Sequence, residues 1–249
     1  MDLEEAEVIE GDQRETTRKL PWLIDTFLYP INVSGLLNIT IFWFGPYLIN
    51  LIGKYALWWA MPYGALITLW FHILLIGYLF HYISECIRDS ASGAIRAVDI
   101  SLEVTPNKGE LVTHLIYIFA CVAVSFCVSG IYHLVTQRAD WIFWVLLALG
   151  AFFFPMMLLA NVMFDSLDAL NPVLIIASIF STFFHYCGVV LAFCVPIGII
   201  VVILVFIPRT TGQTTSFILH GVCIYLLLVT SHLLGRFFHR NEERLYWEV

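Results

Sequence analysis

The 249-residue chain is 60% hydrophobic, 16% aromatic and 12% charged, whereas an average soluble domain is roughly 45–50% apolar and about 25% charged. That imbalance excludes an ordinary soluble domain and places the chain among integral membrane proteins, with the lipid bilayer as its first partner and no nucleic acid expected. The formal net charge of −7 belongs to the N-terminus, where Asp2, Glu4, Glu5, Glu7, Glu10, Asp12 and Glu15 precede the first apolar run, and says little about the body.

Residues 1–20 are polar and lack apolar periodicity, which predicts a disordered acidic tail. No basic start with a short apolar core follows Met1, so no cleaved signal is expected and the first span serves as the insertion signal. In "PWLIDTFLYP", Trp22, Phe27 and Tyr29 surround Asp25 between two prolines, a mix suited to a short interfacial helix.

A spanning helix needs roughly 20 mostly apolar residues, and on that criterion six spans are predicted at 35–53, 57–83, 112–135, 141–164, 185–207 and 215–235. The first contains Asn38, Asn50 and Gly45-Pro46, which predicts a kinked helix or a re-entrant hairpin. Between Asn171 and Pro208 lie 36 residues without Asp, Glu, Lys or Arg, far more than one crossing. Ser178, Ser181, Thr182 and His185 crowd its first half, so the run divides into an interfacial amphipathic helix at about 172–184 and a span after it. The expected fold is an all-α polytopic bundle of residues 21–235, followed by a charged juxtamembrane arm at 236–249.

Lys and Arg placement orients the bundle. With the N-terminus inside, the inner segments hold Arg14, Arg18, Lys19, Arg88, Arg96, Lys108, Arg236, Arg240 and Arg244, and the outer loops only Lys54, Arg138 and Arg209. Nine against three places both termini in the cytoplasm. The longest polar connection, Ile83 to Glu110, then also lies inside, where segments of that size carry function or partner contacts.

The turn "FDSLDALNPVLIIAS", Phe164 to Ser178, raises a choice between an intramembrane carboxylate site and a hinge. Asp165 and Asp168 fall just past the inner end of the fourth span, where water solvates them; at the bilayer centre a carboxylate costs about 2.5–3.5 kcal/mol. Asn171 before Pro172 is a helix start, an N-cap followed by a proline whose missing N–H costs nothing. Asp165, Asp168 and Asn171, with Arg236 and Arg240, are therefore candidate cytoplasmic contacts, and His72 and Asn161 candidate intramembrane polar groups.

Seven histidines lie in or beside spans. Haem ligation by two of them needs imidazoles paired at matched depth on two helices, but the same-helix spacings of nine (72 and 81), nineteen (114 and 133) and twelve (220 and 232) do not match the arrangement of cytochrome b. Imidazoles hydrogen-bonded between helices are the plainer reading, and no cofactor is expected. The six cysteines never form Cys-x-x-Cys and sit mostly in apolar runs, which predicts free thiols without a disulfide framework or zinc site. No His-Glu-x-x-His, nucleophile elbow or phosphate loop occurs. A permeation route would use Asn38, Asn50, Asn161, His72 and the kinks at Pro46, Pro155 and Pro196, yet the spans hold no carboxylate or cation to couple a gradient.

"YISECIRDSASGAIRAVDIS", "FFFPMMLLANVMFDSLDALNPVLIIASI" and "GRFFHRNEERLYWEV" together resemble a family of bacterial multi-pass membrane proteins catalogued as a domain of unknown function, distantly similar to Yip-type proteins, over roughly residues 65–249. The resemblance implies a polytopic protein of the bacterial inner membrane, with no catalytic residue to transfer. The expected function is non-enzymatic: a scaffold, an accessory subunit or a membrane organiser with a membrane-protein partner or a second copy of itself. The alternatives are small-solute or ion permeation and, as a minor one, a b-type haem subunit.

Overall fold

The computed structural model describes residues 22–55, 63–95, 97–98, 108–206, 213–245 and 247. The predicted disorder of residues 1–20 and the centre of the 83–110 connection lie outside them. Among the described residues there are eight α-helices and no strand. They are α1 (Trp22–Leu28), α2 (Val33–Tyr55), α3 (Tyr63–Ala91), α4 (Lys108–Thr136), α5 (Trp141–Phe164), α6 (Pro172–Ser181), α7 (Phe183–Phe206) and α8 (Gln213–Leu245), with a 3₁₀ turn at Leu167–Leu170. Six of them, α2 to α5, α7 and α8, are long and apolar enough to cross a membrane. The chain is a multi-pass membrane helix bundle, as its composition predicts.

The first span is one helix of 23 residues with Pro46 inside it, so the re-entrant hairpin is not formed. It lies antiparallel to α3, with Gly45 beside Leu75 and Gly53 beside Thr68, small residues that let neighbouring helices approach. Two helices overrun the predicted spans: α3 continues to Ala91 and α8 to Leu245. The apolar criterion stops at the first charges, but the backbone does not, because the extra turns bury Ser84, Ile87, Ser90, Phe237, Phe238 and Leu245 against each other and the neighbouring helices. The predicted arm at 236–249 is thus helical as far as Leu245.

α8 is the axis of the bundle, touching α1, α2, α3, α5, α6 and α7. Beside it, α5 is buried on every side from Pro155 to Val162. Met156, Leu159, Ile87, Tyr186 and Leu234 form the centre of the core. In lipid such contacts hold by close packing and dispersion, since the tails are as apolar as the side chains. Outward-facing residues such as Leu66, Trp70, Val135, Trp141 and Phe184 remain exposed, as lipid-facing positions should.

The Asp165–Asn171 segment stops and restarts the chain as expected. Asp165 closes α5 in the left-handed conformation, φ 48°, a conformation open to Asp at a helix end. Ser166 caps the 3₁₀ turn and Asn171 accepts the Val173 N–H at 3.0 Å with Pro172 at the first helical position. The uncharged run breaks at Thr182, whose hydroxyl donates to the Ser178 carbonyl. The resulting α6 buries Ile175, Ser178 and Ile179 and turns Val173, Ile176 and Phe180 outward, so both of its faces are largely apolar.

At the opposite end Asp140 caps α5 by accepting from the Phe143 N–H at 3.2 Å, and the Tyr132 hydroxyl donates to its other oxygen at 2.7 Å. The Tyr132 hydrogen bond, ahead of the helix N–H groups, holds the Asp140 carboxyl below the usual carboxylate range. A depressed folded-state value means the stabilisation is present above the unfolded value and is lost as pH falls through the folded one. Asp140→Asn should therefore melt lower than wild type at neutral pH, with the two melting temperatures converging in acid; a gap that is independent of pH would remove the carboxylate from the cap.

Candidate functional site

The polar side chains gather at one end of the bundle, here called the base, where α2 begins and α3, α5 and α8 end. α1 lies against it with its polar side turned inward. Asp25 and Thr26 are 4% and 3% exposed, whereas Ile24 and Phe27 are 48% and 42% exposed, the reverse of a free interfacial helix. The reason is a counter-charge: Arg236 of α8 donates to Asp25 Oδ2 at 2.7 Å. Asp25 Oδ1 is buried with no hydrogen-bond partner. The Tyr225 hydroxyl, donating to the Phe27 carbonyl, pins the same helix.

Above this pair Tyr29 stacks on His232, ring centroids 3.9 Å apart and 12° from parallel. His232 Nδ1 lies 2.7 Å from the Ser90 hydroxyl, and its Nε2 is buried without a partner. The Tyr29 hydroxyl donates to the Cys86 carbonyl at 3.5 Å, and burial pushes the phenol well above its ordinary value. Nearby, His239 Nδ1 sits 3.1 Å from the Ala91 carbonyl and its ring lies against Gly93, whose φ of +96° only glycine adopts readily. Asn32 Nδ2 donates to the Ala97 carbonyl at 2.7 Å.

A second group surrounds Arg88. Its Nε donates to the Val162 carbonyl at 3.1 Å, satisfying an orphan acceptor in the last turn of α5. Its other nitrogens meet Glu85 at 2.8 Å and Asp165 at 3.3 Å. His114 Nδ1 stands 4.0 Å from Asp165, and the His81 and His114 rings are 5.1 Å apart. These ion pairs are partly exposed, and each contributes about 0–1 kcal/mol; their effect is to fix how α3, α4 and α5 meet. Finally, Trp247 donates to the Ser178 hydroxyl at 2.9 Å and packs on Phe164 and Phe238, fastening the C-terminal end of the chain to α6.

Of the predicted contacts, Asp165 and Arg236 join these networks, Asn171 is a cap, and Asp168 and Arg240 stay exposed. The intramembrane candidates are not brought together. His72 Nδ1 lies 2.8 Å from the Thr68 carbonyl of its own helix. Asn161 is buried in α5 beside the Cys121 thiol, its Nδ2 without a partner. For haem, the His81 and His114 rings, 5.1 Å apart, stand too close to take an iron porphyrin between them. Among the described residues no group of three or more His, Cys, Asp or Glu is placed to hold a metal ion, and all six cysteines are free thiols.

Asp25, Tyr29, Ser90 and Arg88 were not among the site residues the sequence predicted. Asp25 had the one available signal, a lone carboxylate in an apolar stretch that burial would force to find a cation. Compared with protein-family models, with curated proteins and with solved structures, the chain matched none.

Proposed function

We propose that this chain is a non-enzymatic accessory or scaffold protein working through the face at the base of the bundle, in a bacterial inner membrane as the resemblance of its sequence implies. One observation carries the reading: three segments remote in sequence converge on that face, with Arg88 on Asp165, His239 on Ala91 and Trp247 on Ser178. The convergence builds a fixed platform. Exposed on it are Asp168, Glu242, Glu243 and Arg244, which form no ion pair among the described residues. Such charges suit a second membrane protein or a second copy of the chain, selecting it by charge complementarity. The bias of nine against three Lys and Arg residues supports a cytoplasmic position for this face.

Permeation draws less support, since His72 is turned onto its own helix and α5 is enclosed by its neighbours from Pro155 to Val162. The test is Asp168→Lys combined with Arg244→Glu. The variant should insert and purify at wild-type yield but lose the partner, or the second copy, that chemical cross-linking captures with wild type. Unchanged cross-linking, or solute flux in liposomes that disappears in His72→Ala, would overturn the proposal.

A further inference from the structure

We propose that the cleft between α7, α8 and α1 binds the phosphate-bearing headgroup of an anionic lipid. The cleft encloses about 220 Å³, below the roughly 300–1,000 Å³ of sites that swallow a whole small molecule, so it suits part of a ligand whose remainder lies elsewhere. Its polar lining comes from Thr26, His185, Arg236, Arg240 and Asn241, a set dominated by donors and cations. Val189, Leu233 and Phe237 form the apolar remainder. A polar cationic end beside an apolar wall is what a lipid presents in reverse.

The charge balance favours an anion. Asp25 is already engaged by Arg236, leaving Arg240 as a cation with no ion pair among the described residues. Arg236 keeps further N–H groups, since a guanidinium carries five and the carboxylate takes one of its nitrogens. Two guanidinium groups one helical turn apart, with the His185 imidazole opposite on α7, can bind phosphate oxygens from both sides. Basic pockets between spanning helices near a membrane surface bind acidic headgroups on the same physical grounds. On the α7 side the approach is open: a Cβ added at Gly188, which lines the cleft, would meet nothing within 4 Å. The exposed Phe184, Leu191 and Val195 of the same helix then offer acyl chains an apolar surface.

Two variants attack the site differently. Arg240→Gln removes the unpaired charge, and Gly188→Leu fills the space without touching charge; neither disturbs the Asp25–Arg236 pair. Detergent-purified protein would be titrated, with native mass spectrometry as the readout, with phosphatidylglycerol, with phosphatidylcholine, and with phosphatidylglycerol plus an equal concentration of inorganic phosphate. Wild type should retain phosphatidylglycerol over phosphatidylcholine; with both variants monodisperse on gel filtration, Arg240→Gln should lose about tenfold of that retention, as expected for one charge-assisted bond, and Gly188→Leu should lose it by occupying the cleft. Displacement of the lipid by inorganic phosphate at equal concentration would overturn the lipid assignment in favour of a free-phosphate site. Equal retention of both lipids, or full retention in Gly188→Leu, would overturn the site itself. No protein partner takes part in this measurement, so its failure leaves the proposal for the platform intact.

Discussion

Arg236→Ala is expected to destabilise the protein by about 3 kcal/mol, the lower end of the roughly 3–5 kcal/mol that follows breaking a buried ion pair from one side. Asp25 is the reason. Its side chain is 6% exposed against 29% for Arg236, so removing the cation strands a carboxylate that water hardly reaches, and Oδ1 already lacks a partner. The lower end applies because the guanidinium is the more open of the two, so part of its attraction is screened. Deleting both charges, Asp25→Leu with Arg236→Met, should recover most of the loss, because a buried pair exchanged for apolar groups of similar volume is often neutral. Thermal unfolding of the detergent-purified variants checks both halves. An Arg236→Ala protein within about 0.5 kcal/mol of wild type would reduce the pair to an ordinary surface salt bridge.

Local features of this chain were legible in the sequence because their causes are local. The break in the 36-residue uncharged run, the Asn171-Pro172 helix start and the stop at Asp165 depend on neighbours a few residues away, and the structure has all three. Span number was legible because membrane thickness fixes helix length. Helix ends on α3 and α8 were not, since a charge ends an apolar run without ending a helix when its turn is packed, as Arg88 and Arg236 show. The site was hidden for a further reason: the Asp25–Arg236 pair joins residues 211 apart in the chain and Ser90–His232 joins residues 142 apart. No periodicity encodes such pairings. What composition does supply is the expectation that a histidine in a span finds a partner on another helix, and His232 meets it through Ser90. His72 does not, since it bonds within α3.

The close backbone approach of α3 and α8 at the base makes the last prediction. A Cβ at Gly235 would lie 2.4 Å from the Ile87 carbonyl oxygen, 2.5 Å from Ser90 Cβ and 3.0 Å from the Ala91 nitrogen. Two of these are backbone atoms, which cannot rotate away, so α3 and α8 must separate to admit even a methyl group. Helix propensity alone favours Gly→Ala by about 1 kcal/mol, whereas overpacking costs about 1–3 kcal/mol or more; with contacts this short, packing wins and Gly235→Ala should melt below wild type. Gly235→Leu should fail to yield a monodisperse protein, because the separation also pulls Ser90 from His232 and opens the packing of Phe237 and Phe238. Gly130 in α4 is the control: nothing lies within 4 Å of its added Cβ, so Gly130→Ala should match or exceed wild-type stability. If Gly235→Ala instead gained stability as Gly130→Ala does, α3 and α8 would have room between them, and the close contact that brings Ser90 to His232 would not be what holds the base together.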